Sequence, residues 1–125
     1  MKKIIRTKNA PKAIGPYSQA VVTGKIIFTA GQIAISPKTN KFIDGDVAEQ
    51  TEQVMQNLKA VIEAAGAKLS SVVKTTVYLA KPEDFTTMNG VYAKYFSNEP
   101  PARVTVFVKS LPKNALVEID ATAEL

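Results

Sequence analysis

Residues 101–123, PARVTVFVKSLPKNALVEIDATA, hold two β-branched runs parted by a short loop. Side chains of a strand alternate between faces. In the first run Val104, Val106 and Val108 therefore share one side, and Arg103, Thr105 and Phe107 the other. In the second run Val117, Ile119, Ala121 and Ala123 face one way, and Glu118, Asp120, Thr122 and Glu124 the other. The valine side of the first run suits packing beneath helices, which leaves Arg103 pointing to the opposite face. Set side by side and antiparallel, the two strands would place Arg103 and Glu118 on one polar face. Spacing alone leaves that face open to two readings, a ligand site or an ordinary surface of solvated charges.

Upstream, the pattern alternates strands and helices. Pro100-Pro101 ends a helix that starts at Pro82, with Phe85, Met88, Val91, Tyr92, Tyr95 and Phe96 on or near its buried stripe. Before it, Val72 to Ala80 is β-branched and reads as a strand. Asp46 opens the clearest helix, with Glu49 three residues on in a capping-box pattern. Val47, Val54, Leu58, Val61, Ile62 and Ala65 follow its period, and Gly66 supplies a left-handed stop. Ser36 to Gly45 is a loop. Tyr17 to Val22 and Ile26 to Ala30, parted by Thr23-Gly24, read as a hairpin that residues 31–35 extend past a bend at Gly31. Residues 2–6 form a short edge strand. The order β-β-β-α-β-α-β-β predicts an α+β fold, one domain over 1–125, with a mixed sheet and two helices packed on one face. The other sheet face then needs a cover, and self-association provides one.

Composition narrows the chemistry. The chain of 125 residues has neither histidine nor cysteine. That excludes a Ser-His-Asp triad, a thiolate nucleophile, a disulfide framework and the usual zinc ligands. Catalysis must come from carboxylates, Lys, Arg, Tyr, hydroxyls and backbone groups. No apolar stretch approaches the ~18 residues of a membrane span, and the basic start MKKIIRTKNAP lacks the apolar core of a signal peptide. A cytoplasmic location without membrane contact is the expectation. The formal charge is +5, but its 16 Lys and Arg are scattered rather than blocked. That spread argues for a solvated mixed-charge surface and against nucleic-acid binding.

Several blocks together resemble the RidA family of enamine and imine deaminases: IGPYSQA at 14–20, TAGQI at 29–33, EAAGA at 63–67, VVKTTVYL at 72–79 and PARVTVFVKSLPKNALVEID at 101–120. The resemblance runs over nearly the whole chain. It implies a chorismate-mutase-like fold assembled as a homotrimer, with three sites in the clefts between subunits. It also implies hydrolysis of 2-aminoacrylate, 2-iminopropanoate and 2-iminobutanoate to 2-keto acids and ammonia, without cofactor or metal.

Residue by residue, Arg103 matches the family's carboxylate-binding arginine, whose planar fork suits a 2-imino acid. Glu118 matches the carboxylate that positions and deprotonates water. Burial would raise its pKa and a neighbouring Arg103 would lower it, a balance the sequence leaves open. Gly31 matches a position where backbone approaches the ligand, Tyr17 a wall of the pocket, and Asn89 a residue near it. Two positions depart from the pattern. Thr105 stands where many relatives carry cysteine, and contributes lining or backbone groups instead of a thiol. Ala30 stands where relatives often have serine. The alternative to an enzyme is a non-catalytic sensor of 2-keto acids using the same cleft.

Overall fold

The computed structural model describes residues 1–125. Asp46 starts the long helix α1 (Val47–Ala64), its Oδ1 accepting the Glu49 amide at 2.9 Å. The expected stripe is buried, with Val54, Leu58, Val61 and Ile62 wholly out of solvent. A tight turn at Pro82–Asp84 precedes α2 (Phe85–Tyr95), so the second helix begins three residues after its proline. Met88, Val91 and Tyr92 turn inward. No helix is long and apolar enough to cross a membrane.

Six strands make one sheet: β1 (Lys3–Ile5), β2 (Ala20–Thr23), β3 (Ile26–Thr29), β4 (Val72–Leu79), β5 (Ala102–Phe107) and β6 (Val117–Glu124). Their spatial order is β1-β2-β3-β6-β4-β5. All neighbours are antiparallel except β4 and β5, the parallel pair that α2 connects. Both helices pack on one face, where Ile27, Val77, Leu79, Val117, Ile119 and Ala123 are fully buried. The α+β architecture and the hairpin stand as the sequence predicts, but the turn falls at Gly24-Lys25, because Thr23 stays in β2 and pairs with Ile26.

Three expectations need correction. The first concerns neighbours: β5 and β6 are not adjacent, because β6 inserts between β3 and β4. The second concerns the face of β5. Arg103 pairs with Thr75 and Thr105 with Val77, residues whose side chains face the helices. Arg103 and Thr105 therefore lie on the helix side, and Val104 and Val106 face away from it, 43% and 36% exposed. The physical reason is position. β5 is the outermost strand, and there the helix side is occupied by aromatic rings of α2 stacked on Arg103. The third concerns the N-terminal hairpin. Tyr17 precedes β2 in a loop, and residues 31–35 continue β3 only as isolated bridges, Gln32 with Ile119 and Ile35 with Phe42.

Candidate active site

On the sheet face away from the helices, β6 projects Glu118 toward a cavity of about 410 Å3. Its walls come from Ile14, Tyr17, Gly31, Ile33, Ile35 and Lys113, with Glu118 among them. Gly31 is there for a steric reason. A Cβ on it would stand 2.9 Å from the Glu118 carboxyl carbon. The missing side chain thus makes room for the carboxylate, whereas the sequence suggested room for a ligand. Burial lifts the Glu118 pKa above the ordinary carboxylate value, and the charge of neighbouring Asp120 adds to the rise. The chain's own Arg103 takes no part in that balance. On the next strand Tyr78, opposite Glu118 in register, donates to Asp120 Oδ2 at 3.1 Å.

Two buried amides of α1 hold this cavity in shape. Asn57 Nδ2 donates to the Ile33 and Ile35 carbonyls at 3.2 and 2.9 Å. Gln50 Oε1 accepts the Leu116 amide at 2.9 Å, anchoring the loop that carries Lys113 into β6. Lys113 itself has a left-handed backbone, φ 57°. Tyr17 Oη accepts the Ile14 amide at 3.1 Å, which ties together two residues of the cavity wall.

Arg103 sits elsewhere. Residues in register across a sheet share a face, so Arg103, Thr75 and Ala121 point to the helices, while Val106, Tyr78 and Glu118 point away. The Arg103 guanidinium lies 4.9 Å from the Tyr92 ring centroid and 5.7 Å from that of Phe85. Phe85 in turn meets Phe107 edge-on at 6.4 Å. Tyr92 Oη and Thr75 Oγ1 share a buried hydrogen bond of 2.7 Å. Burial raises the Tyr92 pKa, opposed by that bond and by the Arg103 charge. Asn89 falls four residues after Phe85 and three before Tyr92, on the same helix face. Its Oδ1 is buried without a partner.

The sequence-predicted residues thus divide into two groups. Glu118, Gly31 and Tyr17 line one cavity; Arg103, Thr105 and Asn89 belong to the opposite face. Sequence reasoning named neither Lys113 and the isoleucine wall nor the aromatic bed of Arg103. The bed was foreshadowed by Phe85 and Tyr92, seven residues apart and so on one helical stripe. Nothing in the sequence singled out Lys113.

The family model described as Endoribonuclease L-PSP matches residues 7–125. The chain belongs to the L-PSP/RidA family. A RutC family protein of Pyrococcus horikoshii is 55% identical over 123 residues, 98% of each chain. Human 2-iminobutanoate/2-iminopropanoate deaminase is 43% identical over 123 residues, 98% of this chain and 90% of its own. Among solved structures, RidA from an Antarctic Psychrobacter superposes with a TM-score of 0.95 at 41% identity, covering 98% of this chain and 99% of that one. Membership in the L-PSP/RidA family accounts for the sheet order, and for β5 lying parallel to β4 beyond the inserted β6.

Proposed function

We propose that this RidA-family chain is a deaminase that hydrolyses 2-imino acids to 2-keto acids and ammonia. The observation that carries the reading is the half-buried Glu118, with a raised pKa, on the wall of a largely apolar cavity. A carboxyl so placed exchanges protons with water nearer neutral pH than an exposed one does. The human relative's name supplies the reaction class.

The substrates are 2-iminopropanoate, 2-iminobutanoate and the tautomer 2-aminoacrylate. Arg103 holds the substrate carboxylate through two parallel charge-assisted hydrogen bonds, orienting the electrophilic carbon. Glu118 takes a proton from water as its oxygen bonds to C2 of the iminium. The nitrogen of the resulting carbinolamine is protonated and leaves as ammonia, and the carbinol oxygen loses its proton to become the keto group. Water supplies the only added atoms. Tyr17 and Gly31 shape the cavity beside Glu118; Thr105 and Asn89 flank Arg103.

One chain presents these two groups on opposite faces, so a complete site needs a second copy. The homotrimer fits this requirement. Phe28, Val104 and Val106, between 36% and 49% exposed on the uncovered sheet face, form the apolar surface for subunit contact. Each subunit then lends Arg103 to a neighbour's Glu118 cavity.

The test is an assay in which an amino-acid oxidase generates 2-imino acids and semicarbazide traps whatever survives. Wild type should deplete the trapped imine, and Arg103→Ala and Glu118→Gln should not. Equal trapping with wild type and without protein, across several amino acids, would discard the deaminase and favour a 2-keto acid sensor.

A further inference from the structure

Residues 1–43 contain no Asp or Glu, yet hold eight of the sixteen Lys and Arg. The fold gathers three of these cations at one place. Arg6, Lys8 and Lys12 line a cleft of about 440 Å3 together with Thr7, Tyr17 and Ser18, and no carboxylate lines it. Like charges facing one space repel, and an anion between them relieves the repulsion.

The cleft is built before any ligand arrives. Gln19, 5% exposed, ties down the segment that carries the cations. Its Oε1 accepts the Thr7 amide at 2.7 Å, and its Nε2 reaches the carbonyls of Thr7, Ala10 and Pro11 at 3.1, 3.3 and 2.8 Å. A preorganised wall spares a ligand the cost of ordering it. Thr7 Oγ1 accepts the Asn9 amide and Tyr17 Oη the Ile14 amide, both at 3.1 Å. Each hydroxyl proton remains available to an acceptor in the cleft.

We propose that this cleft binds a small phosphate monoester. A phosphate group carries roughly −1.5 to −2 charge at neutral pH and three strong acceptor oxygens, which three cations and two hydroxyls match. Inorganic phosphate alone leaves most of the cleft empty. The organic part of the ester lies against Ala13 and the Tyr17 ring, which is 50% exposed.

The cleft also adjoins the Glu118 cavity. Lys12 and Tyr17 line a narrow space of about 30 Å3 that shares Gly31, Ile33 and Ile35 with that cavity. Through Tyr17, an occupied cleft bears on imine hydrolysis, a connection that rests on the deaminase reading. The binding itself does not.

Isothermal titration of the full chain with phenyl phosphate and inorganic phosphate, at low ionic strength, tests the site. Saturable binding is expected for both, tighter for phenyl phosphate. The double variant Arg6→Gln/Lys8→Gln should bind about tenfold or more weakly, since charge-assisted hydrogen bonds are lost, with its melting temperature and imine hydrolysis unchanged. No saturable binding to wild type, or equal affinity in the double variant, overturns the proposal. The isotherm needs no turnover, so failure of the deaminase reading appears in the imine assay and failure of the phosphate site appears here.

Discussion

The Glu118 carboxyl group occupies the volume that a side chain on Gly31 would fill, its carbon 2.9 Å from the position of the missing Cβ. Glycine and carboxylate come from distant parts of the chain and are sterically one feature. The carboxyl is the free end of a flexible side chain, so Gly31→Ala should displace it without unfolding the protein. We expect a stability loss within about 1 kcal/mol and a fall in imine hydrolysis of about 10²-fold, the scale for a catalytic group misplaced by an ångström. Thermal melts and single-substrate kinetics check both numbers. Full activity in this variant would falsify the role given to Glu118's position.

Glu118 also predicts a pH-dependent stability. Within one chain its folded pKa lies above the ordinary 4.5, so folding of the monomer favours the protonated form, and a neighbour's Arg103 in the assembled site opposes that rise. The stability this confers is complete below about pH 4.5 and is lost as pH rises through the folded value. Glu118→Gln removes the ionisable group while keeping the shape. In the monomeric Val106→Lys background, where no neighbour's Arg103 reaches the carboxyl, Glu118→Gln should melt higher than its parent at neutral pH, and the gap should close in acid. Melting curves for the pair across that range give the answer. A gap independent of pH would mean that burial does not raise this pKa.

On the proposed reading, in which Arg103 anchors the substrate carboxylate, the ring of Tyr92 beneath its guanidinium positions that anchor. A cation–π contact contributes about 0.5–1 kcal/mol at a partly exposed site. Tyr92→Leu should raise KM by about two- to fivefold with kcat little changed. Tyr92→Phe keeps the ring and should keep KM, at a stability cost of about 1 kcal/mol for the orphaned Thr75 hydroxyl. Equal KM in all three proteins would remove Tyr92 from the anchor.

Gln19 satisfies four backbone groups of the segment before β2. Gln19→Ala leaves them unpaired, and we expect a loss of about 1–3 kcal/mol. Hydrogen exchange should speed up at the Thr7 amide, whose acceptor is removed. Unaltered exchange there would show that the loop is held by other contacts.

Val106 tests the assembly. It faces away from the helices on the edge strand, so a charge there leaves the monomer core untouched. Val106→Lys should sediment as a monomer with wild-type circular dichroism and lose imine hydrolysis. An active monomer would mean that one chain completes the site.

Much of the fold is legible in the residues. The Asp46 cap, the α1 stripe and the glycine turn between β2 and β3 follow from local chemistry, the turn falling one residue later than the sequence suggests. Strand order was harder to read. Two apolar alternations late in the chain look like a hairpin, but the helix between β4 and β5 carries the contrary signal. A strand–helix–strand unit demands a parallel crossover. Applied here, it seats β5 beside β4, leaves β6 free to insert, and turns Arg103 toward α2. Arg103 and Glu118 stood out as charges in β-branched strands. Gly31 and Tyr17 were tied to Glu118 only by resemblance, since nothing local reveals which loop meets a strand some ninety residues on. Nothing in the sequence singles out Asn57 and Gln50, because only the tertiary fold shows which carbonyls and amides they hold.

The placement of Arg103 and Glu118 on opposite faces has a genetic corollary. In a closed ring with head-to-tail contacts, each site draws one group from each of two polypeptides. On the proposed reading Arg103→Ala and Glu118→Gln are each inactive alone, yet they are not equivalent defects. Co-assembled in equal amounts, they leave roughly a quarter of the interfaces with both groups intact. Two strains that each fail alone would complement one another in a cell that carries both genes.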